Sequence, residues 1–226
     1  MYKLIKAVLP DSLNKWILLK IRGVLSKHSK FEDSQIPKVT LSQKHINNTE
    51  FLLNRTELLK RLPKNGIAAE MGVDEGGFSQ KILKYSDPQK LHLIDFWGSK
   101  RYNTDKKQQV HSLFKTHLES GKVEINLGLS TDVYSDFSDN YFDWIYIDTA
   151  HSYAVTKLEL ELYESKIKPG GIIAGHDFMT GNWNGNIRYG VIESVYEFCV
   201  NRNWEIIYIT GELDDAPSFA IKKIVD

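Results

Sequence analysis

The chain has 226 residues, 42% hydrophobic and 26% charged, with 29 Lys plus Arg balancing 29 Asp plus Glu. That length suits one α/β domain with a buried sheet plus a short extension, and zero net charge gives no general argument for nucleic-acid binding. The single cysteine, Cys199, excludes an intramolecular disulfide and a cysteine-rich zinc site. It sits in an apolar-periodic stretch, reads as a small buried hydrophobe, and suits a cytoplasmic setting.

Residues 1–48 read as an extension. The first thirty hold Lys3, Lys6, Lys15, Lys20, Arg22, Lys27 and Lys30 against Asp11 alone, a net +6. Leu13, Trp16, Ile17, Lys20, Ile21, Val24 and Leu25 follow a helical period. Asp11 or Ser12 is placed to cap that helix, and Gly23 weakens its last turn. A basic amphipathic helix suits peripheral contact with an anionic membrane through residues 1–30. A weak stripe is more often covered by the domain or by a second subunit in a homo-oligomer. No apolar run is long enough to span a bilayer. The N-terminal apolar stretch, broken by Lys6, Pro10 and Asp11, does not read as a signal peptide. Residues 31–48, polar and containing Pro37, predict a linker.

From 49 to 226 strand and helix signals alternate. The pattern predicts a helix over 51–62, a strand over 67–71, a helix over 78–85, a strand over 91–94 and a helix over 106–120. Strands follow over 123–127 and 142–147, then a helix over 153–166 stopped by Pro169-Gly170-Gly171. A strand over 172–175, a helix over 187–202, and strands over 204–209 and 218–224 complete the chain. This order predicts a Rossmann-like, doubly wound α/β sheet with helices on both faces.

In such sheets ligands bind at the carboxyl ends of the strands. The first of these ends reads Glu70-Met71-Gly72-Val73-Asp74-Glu75-Gly76-Gly77. Gly72 and Gly76 permit a sharp turn and close approach of a ligand. Their spacing is G-x-x-x-G, not the G-x-G-x-x-G of a dinucleotide fold, which disfavours a nicotinamide enzyme. Asp74 and Glu75 would repel a pyrophosphate and tolerate a cationic sulfonium. Asp95 ends the next strand, at the spacing of an acid that accepts from ribose hydroxyls.

The second constellation is Asp148-Thr149-Ala150-His151 together with Gly175-His176-Asp177, at the ends of two predicted neighbouring strands. Asp148 and Asp177 suit Mg²⁺ or another hard divalent cation, and His176 as a further ligand shifts the preference toward a transition metal. His151, at a loop-to-helix start, is placed as a general base. A hydroxyl is a poor nucleophile until it loses its proton, and a cation with an adjacent imidazole answers that need. Two aromatic- and Asn-bearing stretches, 96–102 and 178–186, are placed to close over a sugar or other polyol.

On these residues the chain resembles the class I S-adenosylmethionine-dependent methyltransferases from about Asn54 onward. The resemblance implies a S-adenosylmethionine site formed by Glu70, Gly72, Gly76 and Asp95. It adds Ser130, in the Gly128-Leu129-Ser130-Thr131 turn that matches the adenine contact, and Asp148. It also implies an antiparallel C-terminal strand in a mostly parallel sheet. The Asp148 and Asp177 segments resemble a bacterial subgroup that includes macrolide-sugar O-methyltransferases. By that resemblance the two aspartates hold Mg²⁺ and His151 is the base. His176 stands where those enzymes carry an acid. The implied function is metal-assisted O-methylation of a hydroxyl on a sugar or glycosylated small molecule. A metal-independent N- or O-methyltransferase and a non-catalytic S-adenosylmethionine-binding subunit are the alternatives.

Overall fold

Long apolar runs at 67–71 and 142–147 need cover on both faces, and the chain supplies it with helices on either side of one sheet. A computed structural model describes residues 11–182 and 187–225, in two units: Met1–Pro37 with Gly181–Arg188, and Lys38–Thr180 with Tyr189–Asp226.

The first unit contains helix α1 (Asp11–Gln35) and a two-stranded antiparallel ribbon, β7 (Gly181–Asn182) with β8 (Ile187–Arg188). Within it the Arg188 guanidinium donates to Asp33 Oδ1 from Nε at 3.0 Å and from Nη2 at 2.8 Å.

The second unit is built on strands β1 (Glu50–Leu52), β2 (Ile67–Met71), β3 (Lys90–Asp95), β4 (Val123–Leu127), β5 (Phe142–Ile147), β6 (Ile167–Gly175), β9 (Trp204–Thr210) and β10 (Phe219–Lys223). They lie in the order β1-β9-β10-β6-β5-β2-β3-β4. Every pairing is parallel except those of β10, which runs antiparallel to both β6 and β9. The expected fold class, with its antiparallel C-terminal strand, is the observed one. The chain winds from β2 outward to β3 and β4, then returns to β5 and β6 on the other side. The crevice at that reversal, beyond the carboxyl ends of β2 and β5, is where such a sheet binds ligands.

Helices α2 (Arg55–Arg61), α3 (Gly77–Tyr85), α4 (Thr104–Leu113), α5 (Lys115–Glu119), α6 (Ser130–Val133), α7 (Tyr153–Glu164) and α8 (Val191–Arg202) complete the unit. Alternate residues of β5 face opposite layers, as strand geometry requires. Ile145 and Ile147 pack with Leu160, Tyr163, Val195 and Phe198, while Trp144 and Tyr146 pack with Leu58, Leu59, Ile82 and Phe114. Cys199 is buried as expected, and burial pushes its thiol up to about 12.

Several expected boundaries move for local reasons. The stretch 51–62 is not one helix. Glu50–Leu52 pairs with β9 at the sheet edge, and Asn54 then accepts from the Thr56 and Glu57 amides at 3.0 and 3.1 Å, starting α2 at Arg55. The helix over 106–120 divides at Phe114, whose buried ring lies against Gly76. The last long helix starts at Val191, not 187, because Ile187 and Arg188 belong to β8. The Pro169-Gly170-Gly171 stop lies inside β6, where the register against β5 shifts. The polar stretch from 31 is helical to Gln35 before the chain becomes irregular.

Candidate functional site

The turn after β2 is held open by left-handed backbone at Gly72 (φ +85°), Asp74 (φ +53°) and Gly76 (φ +79°). A Cβ at Gly72 would stand 1.9 Å from the Asp148 carbonyl oxygen, and one at Gly76 would stand 2.8 Å from the Phe114 ring. Glycine is therefore required at both positions, to let the β2 and β5 ends meet and the turn fold back. The Asp148 amide donates to Met71 O at 2.8 Å, joining the two strand ends.

Asp95 anchors the turn. Its Oδ2 accepts from the Val73 and Asp74 amides at 2.8 and 3.0 Å, and its Oδ1 accepts from the Trp97 amide at 3.0 Å. Each carboxylate oxygen has about two acceptor sites, so one on Oδ1 remains for a ligand hydroxyl. Asp74 and Glu75 are not bare acids: Lys106 pairs with both, lying 3.2 Å from Glu75. That pairing weakens the repulsion the sequence implies toward an anionic ligand.

Glu70 lies buried beneath the turn and accepts from the Ser79 hydroxyl. Burial pushes its carboxyl up to about 8, against the opposing pull of Ser79. Ser130, at the start of α6, donates its hydroxyl to Glu159 on α7. Thr149 donates to the other Glu159 oxygen at 2.8 Å. Glu159 is fully buried, and burial raises its pKa while the two hydroxyls oppose that rise. It thus ties the turn after β4 to the loop after β5.

The acidic and imidazole groups converge at the ends of β5 and β6. His151 Nδ1 lies 2.6 Å from Asp177 Oδ2. Both residues adopt φ +55° without being glycine, a costly conformation that clusters at functional sites. The His151 ring, centred 4.9 Å from Tyr189, is partly exposed. His176 is buried with Nδ1 3.5 Å from Asp148 Oδ2 and 3.6 Å from Asp177 Oδ2. Its Nε2 lies 3.4 Å from Asp215 Oδ1 without hydrogen-bond geometry. Burial would lower the His176 pKa, but the two carboxylates overrule it and hold the ring at about 10. Burial likewise works against Asp177 ionising, and His151 and His176 hold its carboxyl well below the usual range. Arg55 closes the charge pattern. Its Nη2 lies 2.6 Å from Asp215, its Nη1 lies 4.0 Å from Asp148, and its guanidinium sits over the Phe78 ring. Among the described residues one group of His, Cys, Asp and Glu is close enough to share a cation. It consists of Asp148, His151 and Asp177, whose ligand atoms lie within 4.8 Å of one another.

Residues 69–178 match the family described as a methyltransferase domain. No curated protein matches the sequence. Among solved structures, a SAM dependent methyltransferase from Aquifex aeolicus is 12% identical over 87% of this chain and 98% of that one, with a TM-score of 0.55. A putative methyltransferase from Streptococcus mutans, in complex with SAH, is 12% identical over 75% and 96%, with a TM-score of 0.54. Spermidine synthase from Thermotoga maritima is 16% identical over 77% of this chain and 58% of that one, with a TM-score of 0.52. These likenesses show the fold. Among the described residues no helix is long and apolar enough to cross a membrane.

Gly72, Gly76 and Asp95 share one turn, and Asp148, His151, His176 and Asp177 share one cluster beside it. Glu70 lies under the turn, and the Ser130 hydroxyl is engaged by Glu159. Of the two stretches expected to close over a substrate, Trp97 is buried with Nε1 donating to Asp74 O at 2.9 Å, which removes it as a stacking surface. Residues 183–186 lie outside the described residues. Arg55, Glu159 and Asp215 escaped the sequence reading. Glu159 had a signal: it is the acid on the apolar face that Thr156, Leu160 and Tyr163 present from α7. Arg55 and Asp215 reach the cluster only through tertiary folding.

Proposed function

We propose that the chain transfers the methyl group of S-adenosylmethionine to a hydroxyl of a sugar or glycosylated small molecule. The observation that carries this reading is the 2.6 Å contact between His151 Nδ1 and Asp177, beside the glycine turn. With Nδ1–H donating to an ionised carboxylate, Nε2 is left as the proton acceptor. The acceptor oxygen loses its proton to Nε2 and attacks the sulfonium methyl. The O–CH₃ bond forms as the S–CH₃ bond breaks, giving a methyl ether, S-adenosylhomocysteine and protonated His151. In this reading Gly72 and Gly76 admit the cofactor, Asp95 accepts from its ribose, Ser130 borders its adenine, and Glu70 supports the turn from below. Asp148 borders cofactor and acceptor alike.

The oxygen-rich group of Asp148 and Asp177 suits a divalent cation, Mg²⁺ first; the histidine grouped with them is His151, whereas the sequence pointed to His176 as the further ligand. Such a cation would lower the pKa of a bound acceptor hydroxyl and orient it. A metal-independent methyltransferase is the second reading, because the His151–Asp177 pair supplies an oriented base by itself.

Calorimetric titration with S-adenosylmethionine, S-adenosylhomocysteine and NAD⁺ tests the cofactor. Both adenosyl ligands bind and NAD⁺ does not; no heat with either adenosyl ligand overturns the proposal. Methyl transfer to a panel of glycosides, lost in His151→Ala with cofactor binding retained, tests the base.

A further inference from the structure

Helix α1 differs from the rest of the chain in charge and in surface. Residues 1–30 carry the net +6 noted above within a chain whose total is zero. On the described part of α1, Leu13, Trp16, Leu19, Ile21, Val24 and Phe31 all stand open to solvent, Val24 at 68% and Phe31 at 63%. At about 100° per residue, Leu13, Trp16, Val24 and Phe31 fall within an arc of about 80°. Lys20 joins the same face, with Nζ 5.5 Å from the centre of the Trp16 ring. Exposed apolar side chains gathered on one face mark an interaction surface.

Charge decides what covers it. A second copy would set the net +6 of residues 1–30 in one chain against the same charge in the other, and like charges repel. An anionic bilayer surface satisfies both features. Headgroups attract the exposed Lys15, Lys20 and Lys30. Trp16, Val24 and Phe31 enter the acyl boundary, and Lys20 extends its ammonium back to the headgroups. We propose that α1 is a peripheral docking helix for anionic lipid membranes. This inference is independent of the methyl-transfer reading.

Vesicle flotation with the full chain tests it. Phosphatidylglycerol-containing vesicles carry the protein upward at low salt, pure phosphatidylcholine vesicles do not, and high salt weakens the binding. Lys15→Glu with Lys20→Glu reduces the bound fraction by about tenfold or more. Trp16→Ser with Val24→Ser and Phe31→Ser reduces it similarly, and both variants keep the parent's melting curve because these side chains are exposed. Absence of flotation with phosphatidylglycerol at low salt overturns the proposal, as does flotation unchanged in both variants. A dimer seen by light scattering, abolished by the apolar variant in a chain that ignores vesicles, assigns the face to a second copy and also overturns it.

Discussion

Replacing Gly72 with alanine adds one methyl group where β2 passes into the glycine turn. That carbon would meet the Asp148 carbonyl oxygen at 1.9 Å and its carbonyl carbon at 2.7 Å. Carbon contacts are optimal at roughly 3.5 Å, so the β5 end must retreat by about 1.5 Å or the turn must unwind. The left-handed φ of +85° adds about 1–2 kcal/mol for any side chain, and overpacking adds about 1–3 kcal/mol. A total of about 2–5 kcal/mol lowers the melting temperature of a chain this size by at least about 5 °C. The retreat moves Asp148, so under the proposed function S-adenosylmethionine binding weakens by about tenfold or more, the equivalent of about 1.4 kcal/mol. Gly77→Ala is the control. It begins α3 with nothing within 4 Å of the added carbon, and alanine favours the helix by up to about 1 kcal/mol. Thermal melts and calorimetry on both variants decide the matter. A Gly72→Ala protein melting within about 1 °C of the parent, with parental affinity, would refute the reasoning.

Two further outcomes follow from the buried acids. The folded pKa of Glu70, about 8, lies above the unfolded value of 4.5, so the folded state holds a proton that the unfolded state releases. Stability therefore falls as pH rises from about 4.5 to about 8, and Glu70→Gln flattens that slope in denaturant titrations; a parental slope in the variant contradicts the assignment. Glu159→Ala leaves the Ser130 and Thr149 hydroxyls without their acceptor and costs about 2–4 kcal/mol, whereas Glu159→Gln, which keeps an acceptor, costs about 1 kcal/mol. Denaturant midpoints measure both, and equal losses would show that the hydroxyl bonds contribute little.

Periodicity carried most of the fold. The strands over 67–71 and 142–147 are found where the apolar runs place them, because a buried parallel strand is mostly apolar, and 123–127 alternates as its place at the sheet edge allows. The edge strand β1 was illegible for the complementary reason. Phe51, Leu52, Leu58, Leu59 and Leu62 share a helical period that runs on into α2, while the backbone of Glu50–Leu52 pairs with β9. The proximity of Asp148, His151, His176 and Asp177 was readable because each ends a strand or follows one closely. Arg55 and Asp215 approach from α2 and from the loop before β10, far apart in sequence, and local pattern does not reveal such a meeting. Glu159 was visible in principle, since an acid on an apolar helical face must find donors.

Under the proposed function, the question at the cluster is whether a cation or the protein alone activates the acceptor, and the two aspartates answer it differently. Asp177 touches His151 Nδ1 at 2.6 Å, while Asp148 faces His176 at 3.5 Å and Arg55 at 4.0 Å. An oriented base alone makes Asp177 indispensable and Asp148 secondary. Asp177→Asn would then lose about 10²–10⁴ in kcat, with Asp148→Asn close to the parent. A cation held by both carboxylates makes the two losses comparable, since either substitution removes one of two anionic ligands. We expect comparable losses, abolition of parental activity by EDTA, and restoration by Mg²⁺. Initial rates of the parent and both variants, each with EDTA and with Mg²⁺, separate the outcomes. A parent indifferent to EDTA, together with a near-parental Asp148→Asn, would remove the cation and leave the His151–Asp177 pair as the whole of the base machinery.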